Sequence, residues 1–387
     1  MRGGNRLRIL FLDYTNGIGL GGGQRSLQLL LEEIDQDRFE PVLACPEGEE
    51  LLGRIPLGIA TYPLVLPTVF RGLSRRGSGL WQALAGLPGF CSLHRSWARL
   101  VASVRPDVIH ANNLKMLLVA AVAAPESRAA RLWHVRDILP RTAMTETLKQ
   151  IGARAATRVL AVSRAVEREL PATAETEVVY NAVRLPELTR NSELRREFRQ
   201  RYALAEGECV IGYAGRLDSG KGIEILVEGF ARLAAEQPEV SLVIAGKGAL
   251  EESLRCQVMA AGCDQRVRFL GFVPDIGQVW SGIDISAVPS TEPDSFPRTV
   301  VEAMAYGLPV AGSDIGGIGE AIVPGQTGYL VPAGDTGELH KALRALVCEP
   351  ELRRSQGVAG RMRCEELFSA RSQARHLEAI YEEVAGA

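Results

Sequence analysis

Short apolar runs recur along almost the whole chain, and segments with helical spacing separate them. LRILFLDY, PVLACP, DVIHAN, RLWHV, RVLAVS and EVVYNAV form a first series. After a polar stretch at 185–208 the rhythm restarts with VIGYAGRL, VSLVIAG, VRFLGFV, ISAVPS, PVAGSD and GYLVP. Parallel strands cannot be joined by tight hairpins; they need crossovers, usually helical, so this alternation predicts α/β architecture with parallel sheets covered on both faces. A chain of 387 residues also exceeds what one core normally serves. Two doubly wound, Rossmann-like domains are therefore expected, over 1–184 and 185–367, with a last helical segment at 368–387. Ligands of such sheets bind beyond the carboxyl ends of the strands, so the site is expected in a cleft between facing domains.

Composition narrows the function classes. Apolar residues make up 46% and charged residues 23% of the chain, and the net charge is −2, so no global basic field points to nucleic acid. Seven cysteines without a CxxC pair fit neither a disulfide framework nor a zinc site and suit a reducing cytosol. The basic start MRGGNRLRILFLDY reads as a strand without a signal-peptide cleavage pattern, and MLLVAAVAA at 116–124 is too short to span a bilayer. No D-x-D motif stands in a useful place; Asp35-Gln36-Asp37 falls at a helix end. Neither a metal nor a cofactor is expected.

Four stretches behind strand ends could carry chemistry. In TEPDSFPRTVVEAMAYGLPV (291–310), Asp294 or Ser295 suits an N-cap, Pro297 the first turn, and Gly307 the helix end. Glu302 then lies inside a short, mostly apolar helix of about ten residues, where a carboxylate needs hydrogen-bond donors. A neighbouring backbone turn or the hydroxyls of a ligand could supply them. GIGLGGGQRS (17–26) opens the helix SLQLLLEEI, and its glycines let a ligand approach the backbone at a helix N-terminus, unless it is simply a flexible turn. AGRLDSGKG (214–222) places Arg216 and Lys221 across a turn at a helix start, where an anion explains two cations better than solvent does. AGKGALEES (245–253) is a further glycine turn, around Gly246. A nucleotide diphosphate with a ribose satisfies this combination of phosphate grips and a carboxylate.

GGGQRSLQLL, DVIH, AVSRAV, VVYNAV, GRLDSGKG, AGKG, GFV, the EAMAYGLPV block and IGGIGEAIVPGQTGYLVPAGD together resemble the bacterial family-4 retaining glycosyltransferases with the GT-B fold, over nearly the whole length. The resemblance implies a nucleotide-sugar donor held mainly by the second domain, and a C-terminal helix that crosses back to the first. It implies that Arg216 and Lys221 bind the diphosphate, Glu302 the ribose hydroxyls and Asp294 the sugar. Phe296, the amides of Thr299 and Val300, and Gly246 join the donor site, while Gly22 and Gly23 approach from the first domain. The implied reaction is metal-independent hexosyl transfer from a UDP- or GDP-sugar to a hydroxyl, with retention, in surface polysaccharide or glycolipid synthesis. Two departures stand out. The family's usual Glu and Gly are here Asp294 and Pro297, so Glu292 could share the role of Asp294. The family's His-Asp pair is replaced by Arg136-Asp137, leaving Arg136, His134 and His110 as candidates for the residue near the transferred sugar.

Two other readings fit the same stretches: a nucleotide-sugar epimerase of the same fold, and an inactive donor-binding partner subunit. A last feature bears on location. Residues 51–106 hold seven arginines and no Asp, Glu or Lys; residues 1–185 carry 23 Lys and Arg against 17 Asp and Glu, and the remainder 21 against 29. Arginines mixed with Phe70, Trp81 and Phe90 suit an anionic membrane surface. The expectation is a cytoplasmic protein that docks through residues 70–99 on the inner membrane face and takes a lipid-linked acceptor, against the plainer reading of a solvated basic face.

Overall fold

The computed structural model describes residues 6–14, 21–64, 87–123, 127–139, 141–187 and 192–386. Much of the basic stretch at 70–99 lies outside them. The chain divides into two compact units, Met1–Asn181 with Ala370–Ala387, and Ala182–Ser369.

The first unit contains β1 (Leu7–Leu12), β2 (Phe39–Cys45), β3 (Ala60–Pro63), β4 (Val108–Ala111), β5 (Ala130–Val135), β6 (Arg158–Ala161) and β7 (Thr176–Val178). They form one parallel sheet in the order β3-β2-β1-β4-β5-β6-β7. The second unit contains β8 (Cys209–Ala214), β9 (Val240–Ala245), β10 (Val267–Gly271), β11 (Ile285–Val288), β12 (Val310–Ser313) and β13 (Gly328–Val331), in the order β10-β9-β8-β11-β12-β13. Every strand run read from the sequence contains a strand, although β7 takes only the first two residues of EVVYNAV. The one addition, β3, has largely exposed residues and a proline; an edge strand buries little and tolerates proline, so no apolar run marks it.

Central strands such as β8 and β9 are buried at every residue, as a parallel sheet covered on both faces requires. In the second unit they pack on helix Ile223–Glu236 through Leu226, Val227, Phe230 and Leu233. In the first unit, helices Gly22–Glu33 and Ala370–Gly386 pack on the sheet through Leu27, Leu30, Leu31, Leu377 and Tyr381. The C-terminal helix is also tied down by Glu378, which accepts the Asp35 amide at 2.9 Å and pairs with Arg38.

Each strand order reverses once, between β1 and β4 and between β8 and β11. At such switch points the crossovers leave in opposite directions and open a crevice beyond the strand ends.

Candidate functional site

In the second unit, the loops after β8 and β11 are tied together. The Gly220 carbonyl accepts the amides of Thr291 and Glu292 at 2.9 and 3.1 Å. At Gly222, with φ +67°, a Cβ would stand 1.8 Å from the Pro289 carbonyl oxygen. Only glycine fits both that conformation and that approach. The junction brings Lys221 onto Asp294, with Nζ–Oδ2 2.5 Å and side chains 29% and 20% exposed. The Asp294 carbonyl is fixed by the Gly317 amide at 2.8 Å. Arg216 stands out into solvent and pairs with Asp218 at 2.6 Å, while its carbonyl accepts the Tyr213 hydroxyl at 2.8 Å. Glu292 is exposed, and its carboxylate lies over Gly220.

The helix carrying Glu302 runs Arg298–Ala305, shorter and later than the sequence suggests. Pro297 is its N-cap, with ψ 122°, rather than a residue of its first turn, and neither Asp294 nor Ser295 caps it. A residue before proline is biased away from helical geometry, which keeps Phe296 out of the helix and rules out Asp294 or Ser295 as its cap. Glu302 finds its donors one turn back. Arg298 Nε and Nη2 reach one carboxylate oxygen at 3.2 and 3.0 Å, and Nη1 donates to the Ala182 carbonyl at 2.5 Å. Arg298 went unnoticed in the sequence although i,i+4 spacing from Glu302 is a standard helical pair. The Val300 amide bonds back to the Pro297 carbonyl at 3.3 Å, and Thr299 is half-buried beside it. The Phe296 ring turns inward against Phe368, with centroids 5.4 Å apart, so only its backbone can meet a ligand. Gly246 donates its amide to Gly271, and a Cβ there would strike the Gly215 carbonyl at 1.8 Å; packing between loops accounts for that glycine.

In the first unit, a buried polar network fills the switch point. Asp13 follows β1, Asn112 follows β4 and Arg136 follows β5. Asp13 accepts from Gln24 and from Asn112, each at 2.8 Å. The Asn112 carbonyl oxygen accepts Arg136 Nε at 2.6 Å, so one amide bridges acid and guanidinium. Asn181 accepts Arg136 Nη1 at 2.7 Å. Burial raises the pKa of Asp13, against the lowering effect of its two amide donors. Asn112 and Asn181 lie in DVIHAN and VVYNAV, but an asparagine after a strand carries no sign of what it will bind.

Helix Gly22–Glu33 begins at Gly22, one turn before the sequence suggests. A Cβ on Gly23 would lie 2.7 Å from Arg136 Cδ, so Gly23 makes room for the arginine. His134 and His110 are completely enclosed, 3.1 Å apart between Nδ1 and Nε2. Burial is the first cause holding both below the usual histidine pKa, His110 at about 3, and the Arg136 charge adds to it. Both rings are therefore neutral at pH 7, and His134 reaches the strand ends only through Arg136. Among the described residues, no group of three or more His, Cys, Asp or Glu could hold a metal, and no helix is long and apolar enough to cross a membrane.

Residues 20–186 match the family Glycosyltransferase Family 4, and residues 195–363 match Glycosyl transferases group 1. The lipopolysaccharide core biosynthesis mannosyltransferase LpcC of Rhizobium leguminosarum bv. viciae is 30% identical over 46% of this chain and 52% of its own length. The phosphatidyl-myo-inositol mannosyltransferase of Mycobacterium leprae is 37% identical over 40% of this chain and 41% of its own. The chain thus spans about half the length of these curated relatives. The structure of Anabaena Alr3699/HepE in complex with UDP superposes with a TM-score of 0.79 at 24% identity, over 97% of this chain and 100% of that one.

Proposed function

The chain belongs to glycosyltransferase family 4 and has the GT-B fold, and we propose that it transfers a sugar from a UDP- or GDP-sugar to a hydroxyl acceptor with retention of configuration. The acceptor belongs to surface polysaccharide or glycolipid synthesis, in keeping with relatives named for lipopolysaccharide core biosynthesis and as a phosphatidyl-myo-inositol mannosyltransferase. The observation that carries the reading is the pair of ionic contacts at one switch point, Lys221–Asp294 and Arg298–Glu302.

Lys221 and Arg216 bind the diphosphate and take up the charge that develops as it leaves. Such preorganised charge needs little rearrangement during reaction. Glu302, oriented by Arg298, accepts the ribose hydroxyls. Asp294 aligns the sugar, and its contact with Lys221 links sugar placement to phosphate grip. Arg136 acts on the transferred sugar, with Gly23 beside it and Gly22 at the start of the same helix. The departing phosphate oxygen receives the acceptor's proton, so the protein contributes placement and electrostatics, and no metal is needed.

A thermal-shift screen of UDP- and GDP-hexoses tests this. A ligand at 100 times its Kd adds about 2.7 kcal/mol of stability. At least one should raise the melting temperature of the wild type, and Lys221→Ala should abolish the rise while melting normally without ligand. No rise with any of them, or an equal rise in the variant, would refute the donor site.

A further inference from the structure

Behind Arg136 a line of hydrogen bonds runs back through the sheet to the C-terminal helix. Arg136 Nη2 contacts His134 Nδ1 at 3.3 Å, His134 Nδ1 contacts His110 Nε2 at 3.1 Å, and His110 Nδ1 contacts the Tyr381 hydroxyl at 2.7 Å. The three rings are at most 1% exposed. Phe11 packs against both His110 and Tyr381, with centroids at 5.3 and 6.2 Å.

One assignment of donors and acceptors follows from the guanidinium end of this line. A guanidinium only donates, so His134 Nδ1 accepts, and a neutral His134 carries its proton on Nε2. His110 then donates from Nε2 to that same nitrogen, whose one lone pair the two donors share. This leaves His110 Nδ1 bare, and it accepts the Tyr381 O–H. Burial pushes the phenol pKa well up and both imidazole pKa values down, so each group keeps the protonation state its place requires. At the far end, Asn112 holds Nε, Asn181 holds Nη1 and His134 holds Nη2. Three directed contacts define the plane of the guanidinium. Apolar residues would fill this space without any directional demand, whereas these side chains specify one orientation of one arginine.

We propose that Tyr381, His110 and His134 are positioning residues that fix the Arg136 guanidinium for sugar transfer, so that the C-terminal helix takes part in the reaction without touching substrate. This rests on the reading of Arg136 as a residue that acts on the transferred sugar.

The test uses the full-length chain and four forms: wild type, Tyr381→Phe, Arg136→Ala and the double variant. Nucleoside diphosphate release is followed across the UDP- and GDP-hexose panel. Tyr381→Phe keeps the ring and removes the donor. It should lower kcat with little change in KM, by between about tenfold and about a hundredfold, as for a small misplacement of a reacting group. In the Arg136→Ala background it should cost nothing further. Full activity in Tyr381→Phe, or the same loss with Arg136 already gone, would overturn the positioning role. Normal turnover in Arg136→Ala would instead overturn the reading of Arg136. Nitrogen-15 NMR of the five histidines gives a readout that needs no substrate. His110 and His134 should both be neutral with the proton on Nε2, and Tyr381→Phe should shift the His134 Nδ1 signal. A proton on His134 Nδ1, or an unmoved signal, would reject the relay even if no sugar in the panel is turned over.

Discussion

Replacing Arg298 by Ala should be among the most damaging single changes in the second unit. Arg298 and Glu302 side chains are 13% and 14% exposed, so the substitution strands a carboxylate with little water to solvate it. Breaking a buried pair from one side costs about 3–5 kcal/mol, and the remaining exposure places this case near the lower end. The Ala182 carbonyl also loses its donor, about 1 kcal/mol more. A total of about 4 kcal/mol corresponds to a fall in Tm of roughly 8–16 °C for a unit of this size. Glu302→Gln removes the stranded charge and should recover about 1–2 kcal/mol in the Arg298→Ala background, while being destabilising by itself. Thermal unfolding of the four proteins by circular dichroism measures all of this. A fall of only a degree or two in Arg298→Ala, or a double variant no more stable than the single, would show that Glu302 is satisfied otherwise.

Acid sensitivity should come from the buried histidines. The unfolded chain protonates a histidine near pH 6.5, whereas His110 in the fold does so only near pH 3 and His134 is likewise lowered. Stability is therefore full above pH 6.5 and lost as pH falls toward 3, by up to about 1.4 kcal/mol per pH unit for each residue; urea unfolding should show a shallower pH slope in His110→Gln, and equal slopes would contradict this. Transfer should survive chelation if, as proposed, the departing phosphate takes the acceptor's proton and Lys221 and Arg216 take up its charge, and strict dependence on added Mg²⁺ or Mn²⁺ would refute a metal-free mechanism. The arginine-rich stretch 51–106 should bind anionic liposomes in a salt-sensitive way that weakens when Arg71, Arg75 and Arg76 become Ser. Equal recovery with neutral vesicles, or none with either, would favour a soluble acceptor.

Strand–helix alternation was readable because a doubly covered parallel strand must be a continuous apolar run, and β8, β9 and β11 are such runs. The edge strand β3 was not, since it buries too little to be marked. Within the site, Lys221 and Asp294 stand out as charges in glycine- and proline-rich turns, but their 2.5 Å contact joins residues 73 positions apart in sequence, on loops from two different strands. Glu302 raised the right question, and its answer, Arg298, sat four residues away. The first unit's network was least legible. Asn112, Asn181, Gln24 and Tyr381 are residue types found anywhere, and only the strand order β1-β4-β5 and the returning C-terminal helix bring them to Arg136 and His134.

The proposed reaction is retaining transfer from a nucleotide sugar. It is tested most directly by proton NMR of the first sugar released when the chain turns over an α-linked UDP- or GDP-hexose with water as acceptor. Spectra are recorded before the free sugar mutarotates. The α anomer should appear first, and Lys221→Ala should slow its release by about 10²–10³-fold. First appearance of the β anomer, or release unaffected by the loss of Lys221, would contradict it.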